Sequence, residues 1–274
     1  MLEQDLLGND GLIVRDSGIW VKEKLYYLEH YLDIFSVGMK KKWAGKLYYV
    51  DLFAGPGKCR IRETKEEIDG SPLIALKFQF VKYFFFESDT RCHMALAARV
   101  KARAPEKDVK IIPGDCNDKV DQIEPPTSSL GLAFIDPSGV SPLAFETIRR
   151  LAMNRKIDLI INFHEGMGIR MNIHQHTKKE GGALDSFVGS GRWRQKFKNA
   201  PSSIDEVCRE ITNEFQDNLR GLDYRMIDRD HIPVRTDQNS LLYYVIFAST
   251  HPRGNEFWRK ITLINPYGQR KFQF

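Results

Sequence analysis

An open, mainly parallel α/β sheet with helices on both faces is the fold that this 274-residue sequence predicts. Two observations point to it. Between Leu47 and Phe163, short β-branched and aromatic runs alternate with helical patterns, the signature of strand–helix–strand units. The first of those runs leads straight into Gly55-Pro56-Gly57, and open α/β sheets bind their ligands where the strands end.

The elements follow in order. Val21, Leu25, Leu28, Leu32 and Phe35 alternate spacings of four and three, one face of an amphipathic helix inside an N-terminal extension covering residues 1–45. Strands are expected at Leu47–Phe53, Tyr83–Glu87, Val109–Pro113, Leu132–Asp136 and Asp158–Phe163, with helices near Pro72–Phe80, Thr90–Arg103 and Pro142–Met153. The rhythm then breaks. Residues 165–200 are rich in glycine and show no period, so they read as an insert after the fifth strand. A helix near Ile204–Leu219 resumes the pattern, followed by strands at Tyr224–Asp228 and Leu241–Ala248 and a closing helix at Asn255–Leu263. The whole of residues 1–274 is expected to form one domain.

Composition narrows the class. Hydrophobic residues make up 42% and charged residues 28%, which excludes a disordered or collagen-like chain. No apolar run approaches the roughly 18 residues of a membrane span, and the polar stretch Met1–Asp10 is not a signal peptide. Four scattered cysteines read as reduced thiols, which points to the cytoplasm. The formal net charge is +5, and it is unevenly placed. Between Gly166 and Ala200, Arg170, Lys178, Lys179, Arg192, Arg194, Lys196 and Lys198 face Glu180 and Asp185, so this window holds the entire excess.

The sharpest motif is Asp51-Leu52-Phe53-Ala54-Gly55-Pro56-Gly57. Glycines there let the chain turn tightly and let a ligand approach the backbone with no Cβ in the way. A dinucleotide fingerprint needs a third glycine where Arg60 stands, and a P-loop needs a hydroxyl residue where Cys59 follows Lys58. Acid-x-x-x-Gly-x-Gly instead resembles the first motif of class I S-adenosylmethionine (SAM) methyltransferases. That resemblance implies a three-layer α/β/α, Rossmann-like fold with a mostly parallel seven-stranded sheet. It also implies SAM as cofactor, with a methionine pocket shaped by Asp51, Phe53, Ala54, Gly55 and Gly57. Glu87, next to Ser88, would hold the ribose, and Asp115, next to Cys116, the adenine. Asp89 and Asp118 are positioned to cap helices instead. Asp136-Pro137-Ser138 ends the fourth strand, and Asp136 would face the transferred methyl group as the catalytic acid of that turn. Amino-directed nucleic-acid methyltransferases carry a second proline and an aromatic ring where Ser138 and Gly139 stand, so a base-stacking platform is missing there; Phe163 and Trp193 are the candidate substitutes.

The chain also resembles the three-Cys-motif partner proteins, through Tyr49 to Gly57, Asp69-Gly70-Ser71-Pro72 and Phe134-Ile135-Asp136-Pro137-Ser138-Gly139. Leu28, Tyr31, Leu242-Tyr243-Tyr244, His251-Pro252 and Phe257-Trp258 extend the match from about residue 20 to residue 264. This resemblance implies a methyltransferase-like fold and a partner carrying a three-cysteine, radical-SAM-like motif.

Four features remain open at this level. Lys58–Gly70 reads as a charged loop, either solvated or a lid, before a helix that starts at Ser71-Pro72. Cys59, Cys92 and Cys116 each follow a strand end but lack metal-ligand spacing, and no metal is expected. His164-Glu165 follows the fifth strand and offers proton-transfer groups, whereas His174 and His176 read as solvent-facing. Arg192-Trp193-Arg194 with Lys196 and Lys198 alternates cations and aromatics, as in a nucleic-acid contact or in a strand with Trp193, Gln195 and Phe197 turned to the core. The leading expectation is a SAM-dependent methyltransferase acting on nucleic acid. A non-catalytic partner of the three-cysteine protein and a small-molecule methyltransferase are the alternatives.

Overall fold

In the first unit of the chain, residues 1–135 with 256–274, four strands lie in the order β7-β2-β5-β6 and every pair is parallel. The computed structural model describes residues 6–196, 203–227, 231–264, 266 and 268. The first unit runs β1 (Arg15–Ser17), α1 (Val21–Lys40), β2 (Leu47–Asp51), β3 (Lys58–Ile61), β4 (Glu67–Asp69), α2 (Ser71–Ala75), β5 (Lys82–Glu87), α3 (Thr90–Arg103), β6 (Val109–Pro113), α4 (Cys116–Lys119) and β7 (Leu130–Ile135). All five residues of β2 are buried, which explains its unbroken apolar and aromatic run. The predicted face of α1 is buried too, with Leu28, Leu32 and Phe35 wholly removed from water. Tyr27 and Tyr31 of that helix pack their rings against Trp258.

Lys58–Gly70 is a β-hairpin rather than a loop. β3 pairs antiparallel with β4 and parallel with β1, forming a small second sheet of order β1-β3-β4. β3 buries Cys59 and Ile61 on one side, and ion pairs hold the polar side and its flanks: Arg60 with Glu67 at 2.7 Å, Arg62 with Asp16 at 2.9 Å, and Arg103 of α3 with Asp69 at 2.6 Å. The helix expected to reach Phe80 stops early, with α2 ending at Ala75.

The second unit, residues 136–255, holds α5 (Phe145–Ala152), β8 (Lys156–Phe163), α6 (Ile173–Lys178), α7 (Ala183–Val188), α8 (Ile204–Gly221), β9 (Met226–Ile227), β10 (Ile232–Arg235) and β11 (Leu241–Ser249). The final helix, α9 (Pro252–Thr262), begins there and carries Phe257 and Trp258 into the first unit. Here the pairing is antiparallel: β8 with β11, β11 with β10, and β9 on β11. The region read as an aperiodic insert is a chain of short helical turns, beginning with a π-helical turn at Glu165–Ile169. Gly166 is obligatory in that turn, since a Cβ there would lie 1.9 Å from the Leu241 carbonyl oxygen. Phe163, Phe187 and Phe215 pack with ring centroids 4.9–5.6 Å apart and lie in the buried core of this unit, Phe187 stacking on Phe215 at 5.6 Å. Strands at the centre with helices on their faces make this the Rossmann-like, class I methyltransferase fold. Among the described residues no helix is long and apolar enough to cross a membrane.

Candidate functional site

Register places the candidate cofactor residues of the first unit at one edge. Asp51 is level with Phe85 on β5 and Phe134 on β7, and Glu87 is level with Pro113 on β6. The carboxyl ends of β2, β5 and β6 therefore carry Asp51, Glu87 and, two residues past β6, Asp115.

Asp51 has no exposed surface. Its Oδ1 accepts the Phe53 N–H at 3.2 Å and Tyr49 donates its hydroxyl to Oδ2 at 3.5 Å. This carboxylate shapes the turn from beneath. Ala54 N–H donates to the Phe86 carbonyl at 2.9 Å, tying the turn to β5. Gly55 and Gly57 then adopt φ of 64° and 90°, the left-handed region that side chains with a Cβ resist. A Cβ on Gly55 would meet nothing within 4 Å, so the turn is open on that side. Gly57 is enclosed, with Leu96 and Leu73 at 3.2 and 3.3 Å from its Cβ position.

Glu87 is 8% exposed, and its Oε1 accepts the Asp89 N–H at 2.8 Å. Ser88 beside it is exposed. Asp89 is the helix cap that its position suggested: its Oδ1 accepts from Arg91 N and Cys92 N, and the backbone bond from Cys92 holds its carboxyl below the usual range. Asp115, rather than Asp118, caps α4, accepting the Asn117 backbone and side-chain N–H groups on Oδ1 at 2.8 Å each. Cys116 is 3% exposed, and burial followed by the Asp115 charge pushes its thiol up to about 12. Burial, then the Glu87 charge, does the same to Cys92. Neither thiol is a nucleophile under such conditions. Among the described residues no group of three His, Cys, Asp or Glu side chains could hold a metal ion.

In the second unit Asp136 is half-buried, and its Oδ1 accepts Asn162 Nδ2 at 2.6 Å. Pro137 is buried and Ser138 exposed. Asn162 escaped the sequence reading because it sits within an otherwise apolar strand.

The proposed stacking platforms are corrected. Phe163 is wholly buried in the aromatic core. Trp193 is 2% exposed, and its indole N–H donates to Asp185 Oδ1 at 3.1 Å. Arg194 is also buried: it pairs with Asp185, lies 4.0 Å from the Trp193 ring centroid, and donates to the His176 and Lys179 carbonyls at 2.6 and 2.9 Å. Neither residue can meet a nucleic acid from there. Arg192 is exposed and donates to Asn218 Oδ1 at 2.9 Å. The Lys196 side chain and all of Lys198 lie outside the described residues.

Glu165 is 3% exposed and accepts Arg170 Nε and Nη2 at 3.0 and 2.8 Å. It sits at the wall of a cavity of about 490 Å³ with Cys208, His231 and Tyr244. Burial, reinforced by the Glu165 charge, pushes Cys208 up to about 12 and raises Tyr244, so both stay protonated donors. His176 sits on α6, within hydrogen-bond distance of the Gly168 carbonyl at 2.9 Å, and not on an open strand.

No protein-family model matches the chain, and no curated protein does. Solved structures do. Protein LPL1258 from Legionella pneumophila superposes with a TM-score of 0.52 at 11% identity, over 86% of this chain and 90% of that one. The O-methyltransferase TomG from Streptomyces achromogenes, in complex with SAM, gives 0.45 at 9% identity over 84% and 80%. An O-methyltransferase from Bacillus cereus, in complex with SAH, gives 0.44 at 9% identity over 81% and 80%. At such identities the likeness is one of fold.

Proposed function

We propose that this chain is a SAM-dependent methyltransferase whose substrate class is nucleic acid. One observation carries the cofactor: the Glu87 carboxylate is more than nine-tenths buried, yet among the described residues it takes a single hydrogen bond, from Asp89 N–H. This carboxylate keeps acceptor sites to spare, and the vicinal hydroxyls of a ribose supply two donors. Beside it on the neighbouring strand, the Gly55 turn leaves room for the backbone to approach a ligand. Asp115, at the end of the next strand, suits an adenine amino group.

When bound, SAM supplies a methyl group on a sulfonium, which passes to a nucleophile as the sulfur leaves as a neutral thioether. The chain's own part is alignment. Asp51 and Tyr49 fix the turn, Glu87 holds the ribose, and Asp136, oriented by Asn162, accepts the hydrogen bond that aims the nucleophile. Nucleic acid is favoured by the charge concentrated in residues 166–200, with Arg192 as the exposed, described cation of the proposed set. Contact there would be to phosphate, since Trp193 is buried.

A second reading, a partner of a three-cysteine radical-SAM-like protein that keeps the fold without catalysis, is favoured by the Asp136-Pro137-Ser138-Gly139 turn. It has no aromatic ring, and both candidate substitutes are buried. Calorimetry with SAM and its demethylated product, then tritiated methyl transfer to RNA, DNA and the partner protein, separates the readings. Absence of binding at millimolar concentration refutes the cofactor; binding without transfer to any acceptor favours the partner role.

A further inference from the structure

Arg99 lies on α3 with 3% of its surface exposed, a position where an unpaired guanidinium would be prohibitively costly. Its fork is fully used. Nε and Nη2 donate to the two carboxylate oxygens of Asp10 at 2.8 Å each, and Nη2 also reaches the Leu12 carbonyl at 3.3 Å. Nη1 donates to the Ile13 carbonyl at 2.8 Å and to the Pro56 carbonyl at 2.6 Å. One side chain thus joins the N-terminal segment to the middle of Gly55-Pro56-Gly57.

The contact has a directional consequence. The Pro56–Gly57 peptide is trans and planar, so holding its carbonyl toward Arg99 turns the Gly57 N–H the opposite way. The next carbonyl, Gly57 O, accepts the Gly70 N–H at 2.8 Å. Two successive carbonyls of a turn with two left-handed glycines are therefore anchored by protein groups, which selects one arrangement from the wide range that glycine can adopt. The Asp10 side of the fork is anchored in turn: Lys58 lies 3.5 Å from both Asp10 and Glu67, and Glu67 also accepts the Asn9 N–H at 2.8 Å.

We infer that Arg99 is the positioning residue of the Gly55–Gly57 turn and that Asp10, on the N-terminal segment, is its second half, so that this segment sets the affinity for the cofactor. The inference rests on the cofactor reading given above. Lysine cannot replace Arg99, because a single ammonium cannot span a carboxylate and a carbonyl on opposite sides.

The test measures SAM binding by calorimetry and exchange of the Gly70 amide, which is bonded to the Gly57 carbonyl, in the full chain and in the variants Asp10→Asn and Arg99→Lys. Affinity is expected to fall severalfold in the first and about tenfold in the second. Exchange at Gly70 should quicken while the amides of β2 exchange as in the parent, a local change that mere loss of stability would not produce. Native affinity and native exchange in a folded variant overturn the inference. Should Arg99→Lys fail to fold, Asp10→Asn decides alone, since its side chain is 32% exposed and it tolerates replacement. Should the parent chain not bind SAM, the cofactor reading falls, and exchange at Gly70 in Asp10→Asn then supports or refutes the clamp by itself.

Discussion

Asn162 donates through Nδ2 to Asp136 Oδ1 at 2.6 Å from a side chain with no exposed surface, while its own Oδ1 has no hydrogen-bond partner among the described residues. A buried amide with one orphaned oxygen works against stability, so its retention points to the acid it orients. Asn162→Leu is expected to leave the melting temperature level or raised while methyl transfer falls about 10- to 100-fold, the loss of one hydrogen bond to a charged group. Single-turnover transfer beside a thermal melt checks both halves. Lost stability with transfer intact would contradict the assignment.

Glu87 offers a cleaner reading of the cofactor. Glu87→Gln keeps shape and the Asp89 contact but removes the charge that strengthens hydrogen bonds from a diol. SAM affinity should weaken about tenfold by calorimetry, with no loss of melting temperature, because a buried charge has been removed.

The small β1-β3-β4 sheet should respond to acid. Hydrogen bonding from Arg60, then the Asn9 N–H, lowers Glu67 below its ordinary value of 4.5, against the opposing effect of burial. A depressed folded-state value means that the stabilisation is fully present above pH 4.5 and fades as pH falls through the lower folded value. The melting-temperature gap between the parent and Glu67→Gln should therefore be constant from pH 7 to pH 5 and narrow below pH 4. A gap that widens in acid would refute this.

Asp185 is the keystone of the basic region, binding the Trp193 indole and the Arg194 guanidinium together. Asp185→Ala strands a buried cation, and chemical denaturation should show a loss of about 3–5 kcal/mol. Arg192→Ala should leave stability within about 0.5 kcal/mol, as for other exposed positions, and lower the salt slope of nucleic-acid binding by about one. An unchanged slope would remove Arg192 from the interface.

Much of the first unit was legible from the sequence because its signals are local. A buried strand, an acid at its end and Gly-x-Gly lie within eleven residues, and the structure brings Asp51, Glu87 and Asp115 to one sheet edge. What stayed hidden depends on distant partners. Arg99 looks like one more cation on a charged helix until Asp10 and Pro56 meet it. The β3–β4 hairpin reads as a loop because its strands are only four and three residues long, so the alternation of Lys58-Cys59-Arg60-Ile61 is lost among the charged residues around it. Trp193 was ambiguous for the opposite reason: alternating cations and aromatics suit a surface and a core equally, and only Asp185, eight residues upstream, decides between them. β10 was overlooked because Pro233 breaks its run, tolerable on a strand that pairs through β11.

The Arg99–Asp10 bond spans 89 residues. When Gly55 to Gly57 have just been synthesised, the guanidinium that anchors their turn does not yet exist, and closure of so long a loop must precede its fixing. The strands that frame that turn need closures of similar length, since β2 pairs Leu47 with Leu130 of β7. The shape of the glycine turn is a property of long-range closure, as is the pairing of the strands that frame it.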